Sequence, residues 1–241
     1  MKNIKLTISY DGSLFFGSQI QPNQITVQSK LAEVLEKLNI NSTLDFSGRT
    51  DRDVHAFRQV VSLKIPKHWF DLKRLKDTLN SMLPNSIFVR YITFVDDSFH
   101  ARFSAKKREY RYLIATKPTT VFNDKFLSYY KDIDQDKIND AIDILKGIHD
   151  FEYFSKTGSE PKSTIREIYD IKLYRFKDIY VLKFCANSYL RSQIRVMVDF
   201  IMKISSGKLT VEDLKKQLNR EKKISWTLAP PNGLYLSKII Y

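Results

Sequence analysis

The alternation of strand-like and helix-like segments along the first part of the chain constrains its fold more than any other sequence feature. Residues 4–10 alternate between apolar and polar side chains, which predicts a half-buried strand. Apolar residues recur at helical spacing over 27–38, directly after Thr26, which is a suitable N-cap. The segments that follow are predicted as a short strand ending at Phe46, a strand over 57–65, a helix over 71–83 and a strand over 87–95.

The resulting order of strand, helix, strand, strand, helix and strand is that of a ferredoxin-like unit. The rest of the chain repeats this alternation of element types, with predicted elements at 109–115 (strand), 134–146 (helix), 156–163 (loop), 164–176 and 179–187 (hairpin), 189–206 (long helix), 210–218 (helix) and 229–241 (tail). A basic segment joins the two parts, and we place the domain boundary at Ser104 within it. We therefore expect an α/β (α+β) fold with halves at 1–104 and 105–241.

The excess of positive charge points to a polyanionic partner. The chain has 40 Lys and Arg against 27 Asp and Glu, a formal net charge of +13, which favours nucleic acid. Thirteen Tyr and sixteen Phe favour RNA, because unstacked bases rest on aromatic rings. Cys185 is the only cysteine, which excludes an internal disulfide and a cysteine-based zinc site. The sequence shows neither a signal segment nor a membrane-spanning run, so we expect a cytoplasmic protein without a membrane partner.

A dense polar loop at residues 47–56 is the best candidate for chemistry, because loops at the edge of a sheet commonly carry catalytic groups. In an extended backbone, Asp51, Asp53 and His55 would share one face. Three interpretations are open at this point. Asp51 can be a single catalytic carboxylate with Arg49 in its surroundings, or the three side chains can be ligands of a divalent metal. The loop can also be an ordinary polar turn that caps backbone amides.

Several further blocks extend the evidence beyond this loop. The loop itself contains Gly48-Arg49-Thr50-Asp51 followed by Val54-His55-Ala56. The other blocks, in chain order, are Tyr10-Asp11-Gly12-Ser13 with Phe16-Gly17, Thr26-Val27-Gln28, Phe99-His100-Ala101-Arg102-Phe103, Arg108-Glu109-Tyr110, Gly147-Ile148-His149-Asp150-Phe151, Ala186-Asn187 with Leu190-Arg191, and Ala229-Pro230-Pro231-Asn232-Gly233. Together, over nearly the whole chain, they resemble the tRNA pseudouridine synthase A (TruA) family.

This resemblance implies an isomerase that converts uridine to pseudouridine in the anticodon stem-loop of tRNA, at positions 38 to 40, with no cofactor and no metal. It implies the pseudouridine synthase fold, in which two ferredoxin-like or RRM-like halves form a continuous, mostly antiparallel sheet. In that fold the helices lie on one face, and the catalytic cleft lies between the halves. The resemblance also implies a homodimer that binds the anticodon arm of tRNA.

The resemblance assigns roles to individual residues. The family's essential carboxylate corresponds to Asp51, which can attack or stabilise the sugar carbon or take a proton from the ribose. Arg195 matches the family arginine that faces this carboxylate, and a cation there offsets its desolvation. Tyr110 stands where the family places a tyrosine over the target base, and Arg49 resembles a residue that holds the flipped-out nucleotide position open. The natural phosphate contacts are Arg102, Lys106, Lys107, Arg108 and Arg191.

The sequence departs from the family at some positions. Arg52-Asp53 stand where the family usually has Ala-Gly. If that glycine has a positive φ, Asp is among the few residues that tolerate the same conformation. Ser18 stands where a tryptophan is typical, and Tyr189 stands where a phenylalanine is typical. None of these changes removes a proposed catalytic group.

Two alternatives from other classes stay open. One is a non-catalytic RNA-binding protein on the same fold, which the added charges of Arg52 and Asp53 would motivate. The other is a metal-dependent nuclease or phosphotransferase that uses Asp51, Asp53 and His55. Under the leading interpretation His55 is a structural hydrogen-bonding residue, and Tyr112 belongs to the core.

Overall fold

The computed structural model describes residues 1–156, 158 and 161–241. Three residues of the loop predicted over 156–163, namely Thr157, Ser159 and Glu160, lie outside this described part. By backbone contacts the chain forms two compact units. The first comprises Met1–Lys106 together with Tyr235–Tyr241, and the second comprises Lys107–Leu234. The first unit therefore ends close to the predicted boundary at Ser104 and also takes in the C-terminal strand.

The first unit contains a sheet in the strand order β4-β1-β3-β10. The strands and helices of this unit are β1 (Lys2–Tyr10), α1 (Val27–Lys37), β2 (Asp45–Phe46), β3 (His55–Ile65), α2 (Leu72–Met82), β4 (Ile87–Phe94) and β10 (Leu234–Ile240). Strand β1 is antiparallel to both β3 and β4, and β10 is parallel to β3. Ile4, Leu6 and Ile8 are fully buried, as their alternation along β1 predicts. Thr26 and Ser29 form a capping box at the start of α1.

The second unit contains antiparallel strands in the order β5-β9-β8-β7. Its strands and helices are β5 (Lys107–Ala115), β6 (Ser128–Tyr129), α3 (Gln135–Leu145), β7 (Gly147–Asp150), β8 (Ile165–Phe176), β9 (Ile179–Ala186), α4 (Gln193–Ser205) and α5 (Val211–Leu218). The apolar stripe of α4, which includes Met197, Val198 and Ile201, is fully buried. The predicted α/β class with mostly antiparallel strand pairing is confirmed.

Helix α4 differs from the sequence prediction at its start. The apolar pattern predicted a helix from residue 189, but α4 begins at Gln193. Ser192 has a φ of 58°, in the left-handed region, and this conformation interrupts the helix. The Leu190 N–H donates to Oε1 of Gln193 at 2.7 Å. Arg191 therefore lies before the helix and not on its surface. Among the described residues, no helix combines the length and hydrophobicity needed to cross a membrane.

Candidate active site

The polar loop turns sharply between Asp51 and Val54, at the entrance to β3. The Val54 N–H donates to the carbonyl oxygen of Asp51 at 3.2 Å, and Asp53 has a φ of 64°. Asp is one of the few residues that adopts this conformation readily, and residue 53 has the positive φ that its residue type tolerates. The extended backbone that would place Asp51, Asp53 and His55 on one face is absent from this turn.

Asp51 is half-buried, and the residue before it is held by buried hydrogen bonds. The hydroxyls of Tyr10 and Thr50 lie 2.8 Å apart. The Thr50 N–H donates to Oγ of Ser18 at 2.9 Å, and the Ser18 N–H donates to the Thr50 carbonyl oxygen at 3.1 Å. Burial raises the pKa of Tyr10 to about 12, although its hydrogen bond with Thr50 acts in the opposite direction. The phenol therefore stays neutral at physiological pH, and the backbone beside Asp51 is clamped from two sides.

The beginning of the loop is fastened to β3 by a second set of buried polar groups. Ser47 donates from its hydroxyl to Oε1 of Gln59 at 2.6 Å. Nε2 of Gln59 donates to the carbonyl oxygen of Gly48 at 2.8 Å. Ser47 and Gln59 are both buried, where unpaired polar groups would be costly. These bonds fix the backbone on the N-terminal side of Arg49, whose own side chain is exposed.

The segment after β1 approaches the loop so closely that it requires glycine. A Cβ atom on Gly12 would lie 2.1 Å from the carbonyl oxygen of Val54. Gly17 has a φ of +89°, and a Cβ there would lie 2.8 Å from the carbonyl oxygen of Thr50. The Tyr10-Asp11-Gly12-Ser13 and Phe16-Gly17 blocks of the sequence thus form one side of the Asp51 loop.

His55 is a structural residue of the first unit. Its Nδ1 accepts the Gly12 N–H at 3.0 Å, so the neutral ring carries its proton on Nε2. The ring stacks on Tyr235 with centroids 4.6 Å apart, and Tyr235 stacks in turn on Phe57 at the same distance. The predicted structural role of His55 is confirmed. Within the described residues, no group of three His, Cys, Asp or Glu side chains is arranged to hold a metal ion.

In the second unit, Arg195 is the third residue of α4. Its Nε donates to the carbonyl oxygen of Ala229 at 2.8 Å, and the Ala229 N–H donates to the carbonyl oxygen of Arg195 at 3.0 Å. This reciprocal pair fixes the direction of the guanidinium group. A cation in the first turn of a helix interacts unfavourably with the helix dipole, at a cost of about 0.3–1 kcal/mol. Residues that are unfavourable for local structure in this way are expected at functional positions.

The tyrosines of β5 have different surroundings. Tyr112 is fully buried, and its hydroxyl lies 2.8 Å from Oγ of Ser128 and 2.9 Å from the carbonyl oxygen of Pro230, so its predicted place in the core is confirmed.

Tyr110 is 7% exposed. It packs edge to face against Tyr189 with centroids 5.3 Å apart. The Tyr189 hydroxyl is buried and has no hydrogen-bond partner among the described residues, and burial raises its pKa well above the usual value.

The five predicted phosphate contacts differ in exposure. Arg102, Lys106, Lys107 and Arg191 are exposed. Arg108 is half-buried, and its Nη1 donates to the carbonyl oxygen of Asn187 at 2.8 Å. Four of these cations are therefore open to solvent, whereas Arg108 also ties β5 to the end of β9.

Comparison with known proteins identifies the family. A family model described as tRNA pseudouridine synthase matches residues 6–104 and 141–241. The chain is 39% identical to tRNA pseudouridine synthase A of Campylobacter jejuni subsp. doylei, with all of both chains covered. It is 39% identical to the protein of that name from Wolinella succinogenes, covering all of this chain and 95% of the relative. It is 34% identical to the one from a Geobacillus species, covering all of this chain and 98% of the relative.

Among solved structures, one chain of a Cbf5-Nop10-Gar1 complex is similar to this protein, with 14% sequence identity and a TM-score of 0.37. The match covers 83% of this chain and 44% of the chain in the complex. Because that structural similarity is low, the assignment depends on the sequence matches, which extend over the full chain. On these matches, the chain belongs to the tRNA pseudouridine synthase family.

Proposed function

We propose that this chain isomerises uridine to pseudouridine in the anticodon stem-loop of tRNA, at positions 38 to 40, with Asp51 as the catalytic carboxylate. The observation that carries the proposal is the Asp51 loop. Its backbone is held by buried hydrogen bonds at Thr50 and Gly48, while the Asp51 side chain stays half-buried. The family of the chain and the names of its full-length relatives support the same reaction.

The reaction is an isomerisation and needs no other reactant. The bond between N1 of the uracil and C1′ of the ribose breaks, the base turns, and a bond forms between C5 and C1′. C5 loses its proton and N1 gains one, so atoms and charges balance. Asp51 can serve this sequence by attacking or stabilising the electron-poor sugar carbon or by removing a proton from the ribose. Each of these roles requires an ionised carboxylate.

Three other side chains are proposed to contact the nucleotide. Arg195 would offset the desolvation of the Asp51 carboxylate, and its guanidinium group is already oriented by Ala229. Tyr110 would stack on the target base, with its ring plane held by Tyr189. Arg49, which is exposed, would hold open the place of the everted nucleotide.

The tRNA is proposed to bind through its backbone. The exposed cations Arg102, Lys106, Lys107 and Arg191, together with Arg108, would contact phosphates, which fix register and carry no base information. The net charge of +13 supports such contacts. A homodimer working in the cytoplasm stays a prediction from the family resemblance.

The proposal is tested on unmodified tRNA transcripts. Wild-type protein, Asp51→Asn and Asp53→Asn are incubated with transcript, and pseudouridine is mapped by carbodiimide-blocked primer extension. Asp53→Asn is a matched control, because it removes a neighbouring carboxylate and Asn tolerates the positive φ at that position. We expect stops at positions 38 to 40 with wild type and Asp53→Asn, and none with Asp51→Asn.

Two further outcomes separate the rival functions. Loss of activity in EDTA together with cleaved RNA would favour a metal-dependent nuclease. An unmodified transcript after incubation with wild-type protein, with RNA binding equal in wild type and Asp51→Asn, would favour a non-catalytic RNA-binding protein. Activity that persists in EDTA and is lost only in Asp51→Asn supports the isomerase.

A further inference from the structure

A groove in the first unit, between α2 and the edge strand β4, gathers positive charge. It has a volume of about 300 Å³. Lys73 and Lys76 of α2 and Arg90 of β4 line it, and its described lining contains no Asp or Glu. In the strand order of this unit, β1 lies between β4 and β3, the strand that the Asp51 loop enters. The groove is therefore a separate feature from the candidate active site.

Arg90 is the extra residue of a β-bulge. Ile8 of β1 pairs with Val89, and Thr7 pairs with Tyr91, so no residue of β1 stands opposite Arg90. Bulges bend a strand and change the direction of one side chain, and they are common at sheet edges and near functional sites. Arg90 thus lies at the bulge and also among the residues that line the groove.

A side chain of α2 holds the bulge in place. The Val89 N–H donates to Oδ1 of Asn80 at 2.7 Å, and Nδ2 of Asn80 donates to the carbonyl oxygen of Val89 at 3.0 Å. One asparagine thus satisfies both outward-facing backbone groups of the residue before Arg90. Helix α2 and strand β4 are joined at this point, so the spacing between the lysines and the arginine is built into the unit.

The guanidinium group of Arg90 lacks a partner for one of its donors. Its Nε is buried and has no hydrogen-bond partner among the described residues. A buried donor without a partner is unfavourable, and such groups call for an explanation. The planar fork of an arginine fits two oxygens of a phosphate, and lysine ammonium groups beside it add charge. Because Nε itself is buried, an anion in the groove would meet the outer guanidinium nitrogens of the half-buried Arg90 and the ammonium groups of Lys73 and Lys76.

We propose that Arg90, Lys76 and Lys73 bind a backbone phosphodiester of the RNA substrate. The identity of that RNA rests on the proposed function. A phosphodiester is favoured because the groove is open and bears only positive charge, in a chain with a net charge of +13. The site would add affinity and register away from Asp51, without reading bases.

The test measures binding of an unmodified tRNA transcript at a series of salt concentrations. The double variant Arg90→Gln/Lys76→Gln is compared with wild type and with Lys30→Gln/Lys37→Gln. The control removes the same charge from α1, where both lysines pair with Glu33. We expect the groove variant to bind more weakly and its slope of log Kd against log salt to fall by about 1 to 2. The control should keep the wild-type slope and affinity.

Three results would overturn the proposal. The first is wild-type affinity and slope in the groove variant, and the second is an equal loss in the control. The third combines two measurements: inorganic phosphate raises the Tm of wild type but not of the groove variant, and both proteins bind tRNA equally. The groove would then hold free phosphate and not a phosphodiester of RNA. Arg90→Lys, which keeps the charge, should bind more tightly than Arg90→Gln, and this separates charge from misfolding. Weaker tRNA binding by the variant, with no isomerisation by wild type, would refute the proposed function and leave the groove assignment in place.

Discussion

The buried hydroxyl of Tyr189 gives a prediction whose sign is unusual for a core substitution. The hydroxyl has no hydrogen-bond partner among the described residues, and leaving such a group unpaired costs about 1–3 kcal/mol. Phenylalanine keeps the edge-to-face contact with Tyr110, which is worth about 0.5–1.5 kcal/mol. We therefore expect Tyr189→Phe to raise the free energy of unfolding by about 1–2 kcal/mol.

Tyr112→Phe is the matched control, since it removes the same atom from another buried tyrosine of the same unit. The Tyr112 hydroxyl contacts Ser128 and the carbonyl oxygen of Pro230, so its loss should lower the free energy of unfolding by about 1–3 kcal/mol. Urea unfolding followed by circular dichroism measures both variants. A destabilised Tyr189→Phe with an unchanged m-value would refute the reasoning, because it would show that the hydroxyl is satisfied in solution.

Two further predictions concern the clamp on the Asp51 loop. Ser18→Ala removes the acceptor of the buried Thr50 N–H, so we expect the free energy of unfolding to fall by about 1–3 kcal/mol and turnover to fall as well. Urea unfolding and a tRNA isomerisation assay check this, and wild-type turnover would contradict it. The pKa of Tyr10 is raised from 10.0 to about 12 by burial, so its neutral form stabilises the fold fully below pH 10, and this stability is lost as the pH rises toward 12. Tyr10→Phe should lose less stability than wild type between these pH values, and an identical pH profile would argue against the burial of Tyr10.

Local sequence patterns were sufficient where neighbouring residues determine structure. The alternation along β1 and the cap at Thr26 depend only on residues close in sequence, and both were predicted correctly. That residue 53 tolerates a positive φ also follows from its residue type alone, because Asp is one of the few types that adopts this conformation. At the start of α4, in contrast, the apolar pattern continues through Ser192 although its left-handed backbone interrupts the helix. Helical periodicity carries no information about such a turn.

The features of the candidate active site and of the Arg90 groove that the sequence did not reveal depend on contacts between distant segments. In the sequence, Ser18 stands out only as a departure from the family, yet it pairs with both backbone groups of Thr50. The need for glycine at residue 12 comes from its approach to Val54. Likewise, the bulge at Arg90 follows from strand register and from Asn80. Neither propensity nor spacing encodes these pairings, since each arises only when the sheet of the first unit has formed.

We propose that the Asp51 carboxylate drives the exchange of an N1 bond for a C5 bond at the ribose. Release of tritium from tRNA carrying tritium at C5 of its uridines measures that exchange directly, alongside the Kd of the same tRNA. Wild-type protein should release tritium with each uridine isomerised, whereas Asp51→Asn should bind the tRNA normally and release none. Release by Asp51→Asn at the wild-type rate would contradict the account.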